Sequence, residues 1–376
     1  MLTSARVLAA SRVLLITWII LVLSIPFALP NMQVARDFAA FWTAAVLASN
    51  DLAAQAYGAG GVAALVHLFG AAKFPPFFYP PTALLIWLPF AGWSFPVAAG
   101  LWVALSLCLY ALALRAMQPD VSLLPAFAFP AVLFCALYGQ NALLTAALFA
   151  GAAALLAEAP VLAGMLLGVL IYKPQLAVLV PLVLAASGRW RAFFTTAATA
   201  AALIGLSVLI FGTDAWRGFW QVLPVAQRWN ASGVPGFQTF VSPYAALRLI
   251  GASPAIGWAA QAMMTVIAVI CTVIVIPRRP GPQAEIAMLC VATLFCVPFL
   301  GQYELVIGMV PAMWLAGEAI RTVWLPYERA ALALLFVSPL AILVAGSKGI
   351  PLGPFALMAL LALVTRRALH HTAPRE

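Results

Sequence analysis

Apolar stretches recur along this chain from residue 7 to residue 365, separated by short polar or aromatic interruptions. The runs are rich in Leu and Ala and show no period-2 alternation, so they predict helices and not strands. A helix needs roughly 20 apolar residues to cross a bilayer, and spanning backbone without water must be helical or a closed barrel. The first run predicts a helix over 7–29, uncleaved, because it is too long for a signal-peptide core and no small-residue cleavage site follows. Further helices are predicted at 95–114, 122–137, 142–157, 160–172, 174–187, 191–211, 256–276, 284–300, 304–319, 329–345 and 351–365. The segment 82–91, bracketed by Pro80-Pro81 and Gly92, is too short to span and predicts a helix lying along the membrane interface. The expected fold is all-α: a polytopic integral membrane protein of about twelve transmembrane helices, forming one membrane domain over 1–376. Two long loops interrupt it, 30–94 (with interfacial helices) and 212–255.

The doubtful pair is 160–172 and 174–187, which one long helix broken at Lys173-Pro174 would replace. Charge separates the two options. Two helices put Arg6, Arg12, Arg115, Arg189, Arg191, Arg278, Arg279, Arg321, Arg329, Arg366, Arg367 and Arg375 on one side. The other side then holds Arg36, Lys73, Lys173, Arg217, Arg228, Arg248 and Lys348. One broken helix would move the Arg278-Arg279 and Arg366-Arg367 pairs outward, against the positive-inside rule. Two helices therefore fit better, with both termini cytoplasmic and both long loops outside. The turns at Tyr138-Gly139-Gln140-Asn141, Lys173-Pro174 and Gln302-Tyr303-Glu304 reach that same outer face.

Composition agrees. Hydrophobic residues make up 65% of the 376 positions and charged residues 8%, against about 25% charged in soluble domains. The net charge of +9 is spread over single and paired basic residues, which membrane-helix flanks explain without nucleic acid. The five cysteines, Cys108, Cys135, Cys271, Cys290 and Cys296, sit in apolar segments without metal-ligand spacing and read as packing residues.

Ten carboxylates leave few candidates for acid–base chemistry. Asp120, Glu158, Glu285, Glu318, Glu328 and Glu376 fall at cytoplasmic helix ends or turns, and Asp51 and Asp214 resemble turn or cap residues. Asp37 follows the first helix beside Arg36 and opens the aromatic segment Asp37-Phe38-Ala39-Ala40-Phe41-Trp42, where apolar neighbours raise a carboxyl pKa. The alternative for Asp37 is a helix N-cap. Lys173 lies within the apolar stretch Leu166 to Leu176, a costly place for an ammonium, which marks an anionic ligand or snorkels to headgroups. Glu304, Gln140-Asn141 and Gln302-Tyr303 supply polar groups at the same level. His67 has no second ligand near it in sequence, so no metal or other cofactor is expected, and glycine-rich phosphate loops, HExxH and GxSxG are absent.

In order, these pieces resemble glycosyltransferase family 87. Asp37-Phe38 through Trp42 and Ala44-Ala45 resemble its opening DF motif, and Tyr57-Gly58 its loop tyrosine. Phe77-Phe78-Tyr79-Pro80-Pro81 is similar to its F-x-Y-P-P element, and Gly139-Gln140 with Leu144 to its GQ turn. Ala163-Gly164, Gly168 and Lys173-Pro174 resemble its AG…KP segment, and Gly188-Arg189-Trp190-Arg191 the basic turn after it. Phe237-Gln238-Thr239 stands where the family has NQS, with Phe for Asn and Thr for Ser, and Tyr303-Glu304-Leu305 where it has YDL. The resemblance implies a GT-C fold and transfer of a hexose, mannose above all, from a polyprenyl-phosphate sugar to a lipid-linked or glycan acceptor. It makes Asp37 the general base and Lys173 a contact to the donor phosphate. Arg228, Lys73 and Arg217 are further outward cations, Arg228 foremost, and Tyr79, Gln140, Asn141, Gln238, Tyr303 and Glu304 would line substrate. The expected setting is the outer face of a bacterial inner membrane, among membrane lipids and without nucleic acid. The rival reading is a transporter or flippase of a lipid-linked substrate, which predicts a midplane cavity with polar groups reaching both sides.

Overall fold

The computed structural model describes residues 4–28, 34–69, 77–234 and 236–372, and Lys73, one of the expected outward cations, lies outside them. Among the described residues seventeen α-helices follow one another: α1 Ser4–Ala28, α2 Arg36–Ser49, α3 Ala59–Phe69, α4 Pro81–Trp87, α5 Phe95–Met117 and α6 Leu124–Ala128. Next come α7 Pro130–Tyr138, α8 Ala142–Leu155, α9 Pro160–Val169, α10 Val180–Ala186, α11 Trp190–Ala231 and α12 Pro243–Leu249. The last five are α13 Pro254–Val275, α14 Pro282–Leu294, α15 Met309–Arg321, α16 Glu328–Ser347 and α17 Gly353–Thr372. Many open on proline, whose fixed φ and missing N–H suit the first turn. Among the described residues no strand forms beyond one bridge between Phe240 and Gly301.

Among the described residues, six helices are long and apolar enough to cross a membrane: Ala5–Ser24, Phe95–Met117, Trp190–Ala231, Pro254–Arg278, Gln302–Arg321 and Glu328–Ser347. Four of the other predicted spans form shorter apolar helices, Ala142–Leu155, Pro160–Tyr172, Pro174–Ala186 and Pro282–Leu294, while 122–137 divides into α6 and α7 and 351–365 falls largely within the 20-residue α17. The two innermost explain why a sequence pattern of apolar runs does not read out span length. Helices α8 and α14 are buried on nearly every side, and a helix apolar all round belongs in the centre of a bundle. Both pack against each other, with α5 and α9 against α8 and with α15 and α17 against α14.

Two stretches read as loops are largely helical. Within 30–94, α2 is buried along most of its length, and Pro81–Trp87 is enclosed by protein instead of turning an apolar face outward as an interfacial helix would. Within 212–255, α11 runs on to Ala231 after a break at Gly212, whose φ of 75° and ψ of 169° only glycine adopts readily. Trp216 Nε1 donates to Ser207 Oγ across that break at 3.1 Å. The far half of α11 then lies on residues 53–57, where Gly218 lets the helix approach Tyr57 and Phe219 packs against its ring.

Polar contacts gather at two opposite ends. At one, Arg189 makes a two-pronged pair with Glu285 (3.0 and 3.1 Å), Arg321 donates to Gln118, Gln118 donates to Gln283, and buried Arg367 pairs with Glu328. At the other, Lys173 pairs with Glu304. The helical stretch from Glu304 to Arg321 separates the two ends by roughly 25 Å. Lys173 and Arg189 therefore lie at opposite ends, the arrangement that two antiparallel legs over 160–187 require. In a cysteine-free background, single cysteines at Arg191 and Arg278 should be shielded from an impermeant thiol reagent on intact spheroplasts, and cysteines at Asp51 and Ser232 should react. Labelling at position 191 would put Arg189 and Lys173 on the same side of the membrane and contradict this arrangement.

Candidate active site

Three breaks in regular helix build the polar end of the bundle. The first is at Gly139, left-handed at φ 68°. Gln140 N–H bonds Cys135 C=O at 2.9 Å and Gly139 N–H bonds Ala136 C=O at 3.2 Å, the double bond pattern that closes a helix on glycine. Trp102 Nε1 donates to Gly139 C=O at 3.0 Å, and Ala35 N–H to Leu137 C=O at 2.7 Å. The turn is thereby clamped between α5 and the start of α2, and it delivers Gln140 and Asn141 side by side. The second break is at Lys173. A residue before proline is driven from the helical region, and Lys173 sits at φ −140°, ψ 69° between the short turns Leu170–Tyr172 and Pro174–Leu176. The third is Gly301–Gly308, a 3-10 stretch whose Glu304 Oε2 accepts from Gly301 N–H at 3.0 Å.

Asp37 is the second residue of α2, with Ala35 and not Asp37 at the N-cap position. Its carboxylate turns to the protein interior, 7% exposed, where Gln140 Nε2 donates to Oδ2 at 2.7 Å and Arg36 Nε stands 3.5 Å from Oδ1. Phe38 and Phe41, on the same helix, stack on Trp102 and Trp87, which pins α2 against α4 and α5. Burial raises the Asp37 pKa above the ordinary 3.8, and the contacts from Gln140 and Arg36 offset only part of that rise.

Beside it stands the second polar group. Lys173, 3% exposed, pairs with Glu304, also 3% exposed, and its Nζ donates to Asn141 Oδ1 at 3.1 Å. Its ammonium lies 5.7 Å from the centre of the Tyr79 ring. Tyr172, next in sequence to Lys173, shares a 2.5 Å hydrogen bond with Thr145 and donates to Asn141 C=O at 3.3 Å. Asn141 thus links both halves, since Gln140 holds Asp37 and Asn141 holds Lys173.

The structure brings Asp37, Tyr79, Gln140, Asn141, Lys173 and Glu304 to this one end, with half-buried Tyr303 adjoining Glu304 in sequence. Gln238 is exposed at the margin; its C=O accepts from Gln302 Nε2 at 2.6 Å, and Val241 N–H bonds Leu300 C=O beside it. Arg228 is exposed on the last turns of α11, and no hydrogen bond or ion pair joins it to the cluster among the described residues. Arg217 pairs instead with Asp214 at the surface. Among the described residues no three His, Cys, Asp or Glu side chains gather as metal ligands. Sequence reasoning missed Trp102, Thr145 and Tyr172. Only Tyr172, adjoining Lys173-Pro174, carried a signal.

Fold and site define an all-α membrane protein with a buried carboxylate and a buried ion pair at one end. Residues 77–300 match the family profile of glycosyltransferase family 87, and the chain belongs to that family, the membrane glycosyltransferases. The match begins after Asp37 and ends before Glu304. No curated protein and no solved structure matches the chain.

Two outcomes follow from this geometry. A Cβ at Gly139 would stand 2.6 Å from Phe38 Cβ, in a backbone conformation costing an L-residue about 1 kcal/mol or more. Gly139→Ala should lower the melting temperature and separate Gln140 from Asp37; a melt like wild type would show that α2 does not depend on this turn. Asp37→Asn should behave oppositely. A carboxyl whose pKa rises on folding holds its proton more tightly when folded, so stability falls as pH climbs from the unfolded value through the raised one. Asparagine removes that loss and still accepts from Gln140, so the melting temperature at neutral pH should equal or exceed wild type. A clear drop would mean that the attraction to Arg36 and Gln140 outweighs desolvation.

Proposed function

We propose that this glycosyltransferase moves a hexose, mannose foremost, from a polyprenyl-phosphate sugar to a lipid-linked or glycan acceptor. The reaction takes place at the outer face of a bacterial inner membrane, with both chain termini in the cytoplasm. The observation that carries the reading is the adjacency of Asp37 and Lys173, a buried carboxylate and a buried cation held by neighbouring residues of one turn. Inverting transfer needs both. The Asp37 carboxylate takes the proton of the acceptor hydroxyl while that oxygen forms its bond to the anomeric carbon. The bond from the anomeric carbon to the phosphate oxygen breaks, its electron pair leaves with the lipid phosphate, and Lys173 stabilises the charge that develops there.

The pairing of the two carboxylates supports Asp37 as the base. Both oxygens of Glu304 are engaged, by Lys173 and by Gly301 N–H, whereas Asp37 Oδ1 faces only the more distant, half-exposed Arg36. A raised pKa also suits a general base, which works best near the operating pH.

The test offers purified protein a nucleotide sugar and a polyprenyl-phosphate sugar separately, each with a lipid extract as acceptor. Transfer is expected from the lipid donor alone, and Asp37→Asn should cut turnover by roughly 10²–10⁴ with the fold intact. As pH falls, kcat/KM should decline above the ordinary carboxylate range, because Asp37 must be ionised to accept a proton. Transfer from the nucleotide donor alone, or near-normal turnover in Asp37→Asn, would overturn the reading.

A further inference from the structure

Lys173 meets a carboxylate at a place where the proposed reaction needs a phosphate. A buried ion pair stabilises a fold little relative to apolar side chains of the same volume, so packing gives no reason for Glu304 opposite Lys173. Asn141 adds a second, independent observation. Lysine only donates, so the oxygen of the Asn141 amide must face Nζ, and this fixes which way the amide turns. The buried Nδ2 of the Asn141 amide makes no hydrogen bond of good geometry among the described residues, although it stands close enough to act on the Tyr79 hydroxyl. A buried donor without a partner is rare and invites an acceptor from outside the protein. Here it belongs to a fully buried residue already bonded to the cation.

Resting on the reading that the donor is a lipid-linked phosphate sugar, we infer that Glu304 is a resident counter-ion standing in for the donor phosphate. On donor binding, Lys173 exchanges the Glu304 carboxylate for a phosphate oxygen, and Asn141 Nδ2 gains its acceptor from the same phosphate. The exchange leaves Lys173 paired with one negative charge, because a phosphodiester and a carboxylate each carry one. Glu304 is not stranded meanwhile, since its Oε2 keeps the bond from Gly301 N–H. After transfer the lipid phosphate is a monoester with greater negative charge, which would hold Lys173 more firmly. The return of Glu304 to Lys173 then competes with the product and releases it. Glu304 is on this account a positioning residue, acting through Lys173 and touching neither sugar nor acceptor.

The test measures binding of a short-chain prenyl monophosphate, the leaving group without its sugar, to the purified full chain. Glu304→Gln removes the competing charge and should bind this probe at least tenfold more tightly, with a larger ligand-induced rise in melting temperature than wild type. In transfer assays the same variant should lower KM for the donor and kcat together, as the substrate is captured and the product retained. A structural role would instead raise KM or leave it unchanged. Asn141→Asp keeps an oxygen for Lys173 but replaces the unpartnered donor with negative charge, and should bind the probe at least tenfold more weakly. Equal or weaker binding by Glu304→Gln overturns the inference. Should that variant not fold, wild-type affinity in Asn141→Asp overturns it alone. If the wild type binds no prenyl phosphate the inference also fails, whereas the donor reading fails only if sugar transfer from the polyprenyl-phosphate donor is absent.

Discussion

An ammonium sunk among apolar helices is tolerated only where opposite charge and hydrogen-bond acceptors stand against it, and Lys173 sets that condition for the polar end of this protein. Glu304 and Asn141 meet it from two other parts of the chain. Each is delivered by a break in regular helix. Pro174 expels Lys173 from the helix, Gly139 turns the chain so that Gln140 and Asn141 follow it, and the 3-10 turn after Gly301 presents Glu304. Asp37 joins through Gln140, next to Asn141, so the proposed base and the proposed phosphate contact share one rigid turn.

The far end of the bundle complements this arrangement. There the ion pairs Arg189–Glu285 and Arg367–Glu328 and the contacts of Gln118 tie helix ends together. Between the ends, α8 and α14 are enclosed by apolar neighbours and carry no charge in their middle turns. Rigid packing there fixes the separation between the ends, so movement of one charged side chain at the active end need not disturb the rest.

Much of this was legible in the sequence because its causes are local. Apolar run length gave helices close to those observed, and Lys173-Pro174 and Gly139-Gln140 announced their own turns through proline and glycine. The isolation of Asp37 and Lys173 among apolar residues marks both in the sequence. What escaped depends on tertiary packing. Helix α2 reads as polar loop because its burial is supplied by Trp87 and Trp102, distant in sequence. The Lys173–Glu304 pair joins residues far apart in the chain, and no spacing rule connects them. Gly212 breaks α11 without ending it, so a stretch read as loop continues as helix.

The central claim is that Lys173 and Asn141 receive the donor phosphate within reach of Asp37. The most direct measurement is a cryo-EM structure of the full chain with a non-transferable polyprenyl-phosphate sugar analogue in nanodiscs. The account predicts phosphate density within hydrogen-bond distance of Lys173 Nζ and Asn141 Nδ2, the Lys173–Glu304 pair opened, and the anomeric carbon on the Asp37 side. Phosphate density elsewhere, with Lys173 still closed on Glu304, would contradict it.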